Sequence, residues 1–480
     1  MNRELYESIF SAPTLMATAP FLVLSIGVLV LLLAEVVPGM TTLRKPIFLA
    51  SIVVAGWYAW QTIQGRETWA FAQTYVANST TGWWTMLFLA STAIAWIFGQ
   101  KYYTGDEAAL EPEHDILMLT AASGMVLMAG SRDLLVFFVG LELLSVPLYT
   151  LCGFRRARRD SVEAGLKYFL LGAFAAATFL FGAALVYTGT GTVTFARMNP
   201  ADLSSPLVMV GAALVAASLF FKVSVFPFHL WVPDVYQGAP APVTTFMATG
   251  TKAAGFAFLL PAAAAMLPNS STPVLAVIAV VTLAAGNLGA LVQTDLKRML
   301  AYSGVAHAGT LLLAIAGMRN DSQADGATQA VLFYMAAYVF TAGGAFGLVT
   351  MLESQTRAPV TLESIRGLAQ RRPGVAAALA LFMLSLGGIP ATGGFLGKYL
   401  VFSVAVRSGM VAIAVIGIVL SVVALGYYLR VIIALYMQPE ASPKGEAAPV
   451  RAGAGFVALV CAAMVLVLGI LPAWFLDHVK

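Results

Sequence analysis

Long apolar segments recur along almost the whole sequence, and they constrain the fold more than any other feature. Broken at polar residues, proline and glycine, the 480-residue chain holds about fourteen such segments, and a helix of roughly 17 to 25 apolar residues crosses a bilayer. Only 10% of the residues are charged, against roughly 25% in a soluble domain. The sequence therefore predicts an all-α polytopic membrane protein with about 14 transmembrane helices.

The lysine and arginine residues are divided unevenly between the two sides of this predicted bundle. Fifteen lie in loops after odd-numbered helices, and seven lie on the opposite side, both ends of the chain included. Because basic residues accumulate in cytoplasmic loops, both termini are expected to be periplasmic. The first apolar run, which ends in LVLLLAEVV, has no small-residue cleavage pattern and is expected to be a retained first helix.

Five basic residues that the loop count leaves over, and one acid at the centre of its helix, lie inside the predicted helices. A charged side chain at the centre of a spanning helix costs about 2.5 to 3.5 kcal/mol, so these residues must face one another, or water, inside the bundle. They are Glu142, Lys167, Lys222, Lys252, Lys398 and Arg430.

Glu142 lies in the otherwise apolar segment DLLVFFVGLELLSVPLYTL, and Ser145 and Tyr149 follow it on the same helical face. One interpretation is a structural ion pair. The other is a proton-carrying carboxylate whose proton affinity depends on the charge of a nearby lysine.

Lys252 shares a helical face with Thr245 and Thr249 in the segment VTTFMATGTKAAGFAF. A buried lysine can release its proton, whereas an arginine cannot. Four lysines and one arginine within the predicted membrane region therefore favour proton relay over static pairing, for Lys222 and Lys252 above all.

Three of the intramembrane candidates each keep more than one interpretation. Lys167 lies one to two turns into its helix, so it could reach the surface, pair with Glu163, or take part in the relay. His307 shares a face with Ser303, and either proton transfer along a water chain or hydrogen-bonded packing fits that pattern. Arg430 is expected to anchor its helix with Tyr427 or to pair structurally, and a relay role is the remaining alternative.

Two of the predicted helices are interrupted. In SLFFKVSVFPFHLWVPDVYQGAPAP, within the seventh helix (206–240), Pro227 and Pro233 remove backbone hydrogen bonds and are expected to interrupt the helix. In LSLGGIPATGGFLGKYLVF, within the twelfth (374–407), glycines and a proline loosen the backbone. Broken helices in corresponding places indicate a transport path between inverted repeats, so helices 4–8 and 9–13 are expected to be two inverted five-helix repeats. His229 and Asp234 follow the first break, where they could order water or cap the second half-helix. The predicted regions are three N-terminal helices in 1–110, the first repeat in 111–268, the second repeat in 269–438 and a C-terminal helix in 439–480.

The sequence shows no ligand set for a cofactor. Cys152 and Cys461 stand alone in apolar segments, and the four histidines are too scattered to suggest a haem pair. The stretch TGGFLGKY resembles a phosphate loop, but the threonine at 392 and the tyrosine after Lys398 depart from that motif. We therefore predict no nucleotide, metal or redox site in this chain.

Five separated motifs, in the right order and over nearly the whole chain, resemble a known family. They are FFVGLELLSVPLYTL, EAGLKYFLLGAFA, FHLWVPDVYQGAPAPVTTF, DLKRMLAYSGVAHAG and GGIPATGGFLGKYLVF. The sequence is similar to the antiporter-like membrane subunits of proton-pumping NADH-quinone oxidoreductase, respiratory complex I. That family also includes the large subunits of multi-subunit cation/proton antiporters. Lys398 and the chain length resemble the N branch, because a glutamate is expected at that position in the M branch and the L branch is longer.

The resemblance implies roles for the intramembrane residues. Glu142 and Lys222 would form the interacting pair of a first half-channel, with Lys167 near it. Lys252 would link the two halves, and Lys398 would end the second half-channel. The secondary candidates are His229, His307 and Asp234.

The resemblance also implies a function and a setting. The chain would be a proton-translocating subunit that couples NADH-to-quinone electron transfer in its complex to proton pumping, while NADH, FMN, iron–sulfur clusters and quinone would bind to other subunits. Its partners would be the other membrane subunits, including antiporter-like subunit M and the small membrane subunits, together with lipid, protons and water, and no nucleic acid. The location would be the bacterial inner (plasma) membrane.

A different class of function stays open: a subunit of a multi-subunit Na⁺/H⁺ antiporter, or a free-standing secondary transporter. An intramembrane carboxylate site for Na⁺ would favour it, whereas here lysines outnumber carboxylates among the predicted intramembrane residues. A third hypothesis, an inert scaffold, predicts that replacing the buried lysines would be tolerated.

Overall fold

The structure is a computed structural model, and it describes residues 11–104, 107, 111–199, 201–318, 324–439 and 450–479. The described part of the chain is almost entirely helical, apart from a short antiparallel hairpin that the all-α prediction did not include. The helices and strands in chain order are α1 (Ala12–Ala17), α2 (Ala19–Val36), α3 (Arg44–Gln64), β1 (Thr68–Ala70), β2 (Tyr75–Ala77), α4 (Ser79–Gly99), α5 (Glu111–Gly130), α6 (Leu134–Cys152), α7 (Arg159–Thr190), α8 (Pro206–Val223), α9 (Trp231–Gly238), α10 (Ala241–Phe246), α11 (Lys252–Met266), α12 (Thr272–Leu291), α13 (Leu296–Gly317), α14 (Ala324–Thr356), α15 (Leu368–Arg371), α16 (Pro373–Gly387), α17 (Gly393–Arg407), α18 (Val411–Tyr436), α19 (Ala452–Ile470) and α20 (Ala473–Leu476).

Among the described residues, twelve helices are long and apolar enough to cross a membrane, and the prediction of a helical membrane protein is confirmed. Two of the predicted spans, 114–130 and 374–407, are not among the twelve. The first falls on α5. The second falls on α16 and α17, which are only 15 residues long each because the break divides them. The count of fourteen, the orientation and the inverted repeats stay predictions. Four basic residues of the loop count lie outside the described residues: Arg3, Arg319, Lys444 and Lys480.

The most buried spans are Ala241–Met266, which joins α10 to α11, then α13, and Gly326–Thr356 within α14. At least 94% of their apolar windows is buried, against 28% for α18. Small residues allow this close packing, since a Cβ at Gly309 on α13 would lie 2.7 Å from the carbonyl oxygen of Ala279 on α12. The central helices therefore hold their polar side chains away from lipid.

The first predicted interruption is present between α8 and α9. After Val223 the backbone of Ser224 takes a positive φ of 70°, and the N–H of Val225 donates to the carbonyl of Phe220 at 2.9 Å, which is the Schellman ending. The prediction that Pro233 also interrupts the helix is wrong. Pro233 lies in the first turn of α9, where a missing N–H breaks no intrahelical bond.

The second predicted interruption has the same backbone geometry. α16 ends at Gly387, Gly388 has a φ of 83°, and the N–H of Ile389 donates to the carbonyl of Leu384 at 3.0 Å. The two breaks are thus built alike, although one uses serine and the other glycine at the left-handed position.

A third irregularity was not predicted. Residues Met247–Thr251, between α10 and α11, form a π turn directly before Lys252. Such turns are rare and occur frequently at functional sites, and this one lies at the centre of the bundle.

Candidate functional site

Lys222 is buried at the first break. It lies in the last turn of α8, and 5% of its surface is exposed. Its Nζ donates to the hydroxyl of Ser145 on α6 at 2.9 Å and to that of Tyr168 on α7 at 3.2 Å. The Tyr168 ring centroid lies 5.7 Å from Nζ, at cation–π distance. Side chains of two neighbouring helices thus hold this lysine.

Glu142 lies one turn before Ser145 on α6 and faces the same place. Its Oε1 is buried and has no hydrogen-bond partner among the described residues. Glu142 and Lys222 line one small cavity together with Ser145, but no direct ion pair joins them in the described part of the chain. A buried carboxylate oxygen is costly unless it gains a proton, a water or a cation. The cavity therefore suits proton exchange between these two groups.

Lys252 is the most buried of the candidate lysines, with 2% of its surface exposed at the start of α11. Its Nζ donates to the main-chain carbonyl of Gly304 on α13 at 2.5 Å and lies 5.8 Å from the ring centroid of Tyr338 on α14. A Cβ at position 304 would come within 2.9 Å of Nζ, so the glycine leaves room for the ammonium. Gly255, one turn further on, packs against Lys222, whose Cγ would lie 3.6 Å from a Cβ there.

His307 follows Gly304 by one turn on α13 and connects two hydroxyl groups. Its Nδ1 lies 2.6 Å from the hydroxyl of Tyr334, and its Nε2 lies 3.1 Å from that of Tyr428. The Tyr428 hydroxyl in turn lies 2.5 Å from Ser303 Oγ. A neutral imidazole accepts a proton on one nitrogen and donates from the other, so this arrangement suits proton transfer as well as packing.

Lys398, on α17, reaches back across the second break. It is 8% exposed, and its Nζ donates to the main-chain carbonyls of Leu386 at 2.9 Å and Gly387 at 3.1 Å, the last residues of α16. Carbonyls at a helix C-terminus carry partial negative charge that favours a cation. Lys398, His307 and Tyr428 line one small cavity.

Lys167 lies in a surface cleft and not in the hydrogen-bond shell of Lys222. Its side chain is 41% exposed, and its Nζ is 2.6 Å from Glu163 and 2.9 Å from Asp234. The pairing with Glu163 that the sequence left open is present. Asp234 is also 2.7 Å from Arg298, so it ties α9 to α7 and α13.

The remaining sequence candidates have local contacts. His229 is buried in the first interruption, where its ring centroid lies 5.5 Å from that of Phe226. Arg430 donates to the main-chain carbonyl of Leu291 at the end of α12, which fits the anchoring role.

The cleft that holds Lys167 has a cavity volume of about 260 Å³. Residues from several of the loops that follow odd-numbered predicted membrane helices line it. These loops therefore lie on one side of the bundle, as the uneven distribution of lysine and arginine between the loops requires. The basic members of this lining are Arg155, Arg158, Lys167, Lys297 and Arg298.

A buried ion pair at the same cleft was missed by the sequence analysis. Lys297 Nζ lies 3.1 Å from Glu353 Oε2, and the Tyr102 hydroxyl lies 2.5 Å from Glu353 Oε1. Lys297 was counted as a loop residue because it stands in the polar stretch QTDLKR. The available signal was Asp295, which caps α13 by accepting from the backbone N–H of Arg298 at 2.9 Å and so places Lys297 inside the helix. Burial raises the pKa of Asp295.

A sequence profile of one family matches residues 131–424; its description is NADH:quinone oxidoreductase/Mrp antiporter, TM. The chain belongs to this family. NADH-quinone oxidoreductase subunit N 2 of Roseiflexus castenholzii is 42% identical over 82% of this chain and 81% of the relative. Subunit N of Trichlorobacter lovleyi is 38% identical over 90% of this chain and 89% of the relative. The predicted resemblance to the N branch of the NADH:quinone oxidoreductase/Mrp antiporter family is confirmed.

Solved structures share the fold. A chain of respiratory complex I from Thermus thermophilus with bound aureothin superposes with a TM-score of 0.81 at 36% identity, covering 95% of this chain and 98% of that one. A chain of the Mrp complex from Dietzia sp. DQ12-45-1b gives a TM-score of 0.85 at 22% identity, covering 96% of each. Both chains were solved as parts of complexes.

Proposed function

We propose that this chain is a proton-translocating membrane subunit of an NADH-quinone oxidoreductase complex. Its membership of the subunit N branch supports its assignment to this complex. Electron transfer from NADH to quinone would take place in other subunits, which would also hold FMN and the iron–sulfur clusters. The chain would contribute a proton path and no redox chemistry of its own.

The observation that carries the proposal is the environment of three buried lysines. Lys222, Lys252 and Lys398 are 5%, 2% and 8% exposed, and their hydrogen bonds go to hydroxyls or main-chain carbonyls. A direct ion pair would hold a lysine in its charged form. A lysine surrounded by neutral acceptors is free to release and regain a proton.

In this mechanism the first cavity starts the transfer. A proton that reaches Glu142 removes the negative charge facing the cavity of Lys222, and Lys222 then holds its own proton less tightly. The released proton moves toward Lys252, and from there past His307 and its hydroxyl partners to Lys398. Quinone chemistry elsewhere in the complex would drive the cycle.

The setting is part of the proposal. The two repeats, 111–268 and 269–438, would each contribute one half of the path. Both termini would be periplasmic in a bacterial inner membrane, beside antiporter-like subunit M and the small membrane subunits. The common cleft of the basic loops supports their placement on one side, which the positive-inside rule makes cytoplasmic.

The first test is Lys222→Met in inverted membrane vesicles, with assembly of the complex checked on native gels. We expect NADH-driven acidification and coupled quinone reduction to fall about tenfold, since a positioned proton carrier contributes at least that much. Lys45→Met, which changes an exposed lysine on α3, is the control and should leave both rates unchanged. Wild-type rates in assembled Lys222→Met complex would refute the relay and favour a scaffold.

A second arm separates proton pumping from sodium transport. The same vesicles are measured in potassium buffer without sodium. Acidification should persist, because the proposal requires no sodium site. Loss of acidification without sodium would favour an antiporter mechanism.

A further inference from the structure

The cleft on the basic-loop side ends at a buried carboxylate that the path described above does not use. Glu353 has a side chain only 12% exposed, held between Lys297 at 3.1 Å and the Tyr102 hydroxyl at 2.5 Å. Lys297 also donates to the main-chain carbonyl of Ala239 at 3.0 Å. These groups line the water-accessible cleft, so Glu353 stands at the boundary between solvent and the interior of the bundle.

Buried hydroxyls continue inward from Glu353. Thr350, one turn earlier on α14, has its Oγ1 3.0 Å from that of Thr245 on α10. Thr249, in the π turn, has its Oγ1 2.5 Å from Ser91 Oγ on α4. All four hydroxyl residues are 0% exposed. The hydroxyl line, defined as Thr350, Thr245, Thr249 and Ser91, therefore bridges three helices below the cleft.

The hydroxyl line leads into the π turn that precedes Lys252. Thr245 lies one turn before Thr249, Thr249 lies within the π turn, and Lys252 follows directly after it. The hydroxyl of a buried threonine can donate its hydrogen bond to the main-chain carbonyl one turn earlier in the helix, and the hydroxyls of Thr245 and Thr249 do so. Packing alone does not require two further hydroxyl–hydroxyl contacts aligned between a buried acid and a buried lysine. Hydroxyls both donate and accept, so with intervening water they can pass a proton.

We propose that Glu353 takes up protons from the cleft and delivers them to Lys252 along the hydroxyl line. This inference rests on the proposed function and adds a second supply of protons to Lys252, taken up on the basic-loop side, beside the proton that Lys222 releases. A proton from cleft water neutralises the Glu353 carboxylate and weakens its pairing with Lys297. The same proton then moves along the hydroxyls and waters to the neutral amine of Lys252, and Glu353 becomes ionised again, ready for the next.

The test uses the whole complex in inverted vesicles, where the cytoplasmic side faces the medium. Glu353→Gln removes the titratable group, and Glu353→Gln/Lys297→Met removes it without leaving an unpaired lysine. Thr245→Val/Thr350→Val removes two hydroxyls at nearly constant volume. The matched control is Asp160→Asn, a carboxylate in the same cleft that pairs with the exposed Arg158.

The readouts are the rate of NADH-driven acidification per assembled complex and its ratio between H₂O and D₂O. We expect the Glu353 variants to lose about tenfold, with a larger isotope ratio, because proton uptake becomes rate-limiting. Glu353→Asp should restore part of the rate. The threonine double variant should show a smaller loss with the same larger isotope ratio, and the Asp160 variant should match wild type.

Each outcome decides between the two proposals. If the Lys222→Met complex loses pumping while the assembled Glu353 or threonine variants keep wild-type rates and isotope ratios, the relay stands and this uptake path is wrong. If the assembled Lys222→Met complex also keeps the wild-type rate of acidification, the relay itself is wrong. Should Glu353→Gln not assemble, the double variant with Lys297→Met and the threonine variant decide by the same readouts.

Discussion

The two broken helices have the same backbone ending but hold their lysines in opposite ways. At the first break, Lys222 precedes the left-handed residue and donates to side-chain hydroxyls on neighbouring helices. At the second, Lys398 follows the break and donates to two main-chain carbonyls of the helix that the break has ended. One lysine is therefore positioned by other helices, and the other by the interruption itself.

The two breaks also place different side chains in the cavity beside each lysine. Lys222 shares its cavity with the acidic side chain of Glu142, whose negative charge, when ionised, attracts the lysine ammonium. Lys398 shares its cavity with His307 and Tyr428 and is stabilised by the carbonyl end of α16. The first break is suited to coupling two charges, and the second to holding one cation where helix geometry provides the acceptors.

The strongest way to test this comparison is to remove the carboxylate that only the first break has. Glu142→Gln should lower NADH-driven acidification about tenfold, because Lys222 then has no acidic neighbour in its cavity. Glu142→Asp should keep a measurable part of the rate. Glu35→Gln, at an exposed position on α2, is the control. Wild-type pumping by assembled Glu142→Gln complex would mean that the first break works without charge coupling, as the second does.

An intermediate effect is expected from substituting the left-handed residue of each break. Gly388→Ala forces a Cβ into a φ of 83°, at about 1 to 2 kcal/mol, and places it 3.0 Å from Lys398 Cδ. Ser224→Gly relieves the same strain and removes a buried hydroxyl that has no partner among the described residues. The purified complex should lose the subunit at a lower temperature with Gly388→Ala and at an equal or higher temperature with Ser224→Gly.

The readout is the midpoint temperature at which the subunit dissociates, followed on native gels. Shifts of the same sign and size for both variants would show that the two left-handed positions are not governed by backbone strain. Pumping should fall about threefold in Gly388→Ala, since strain of that order corresponds to at least this factor, and should be unchanged in Ser224→Gly.

Local sequence patterns were sufficient for the helical membrane fold, for most of the long helices and for both breaks. Apolar length predicts a span and proline or glycine predicts an interruption, and both signals lie within one segment. Pro233 shows the limit of such reasoning, because its effect depends on where the next helix begins, and α9 begins just before it. The π turn at Met247–Thr251 has no comparable signature and was not predicted.

The contacts of the candidate site depend on residues far apart in the sequence. Lys297 and Glu353 form an ion pair only because α13 and α14 pack side by side, and each stands at the end of an apolar run where a charge is ordinary. His307 drew attention through its own helix, but its tyrosine partners lie on α14 and α18. Residue type identified the lysines, whereas tertiary packing decided which groups surround them.

The smallest effect is expected from Lys167, which lies beside the first break but faces the cleft. Its partner Glu163 is exposed and its partner Asp234 is half-buried. Ion pairs this open to solvent contribute little, so acidification in Lys167→Met should stay within about twofold of wild type. The adjacent Tyr168→Phe provides the comparison on the same helix, since that hydroxyl accepts from Lys222, and it should cost more than Lys167→Met. A loss with Lys167→Met as large as with Glu142→Gln would bring Lys167 into the relay. The first break would then couple the charges of Glu142, Lys222 and Lys167, and the cleft that holds Lys167 would be part of the proton path.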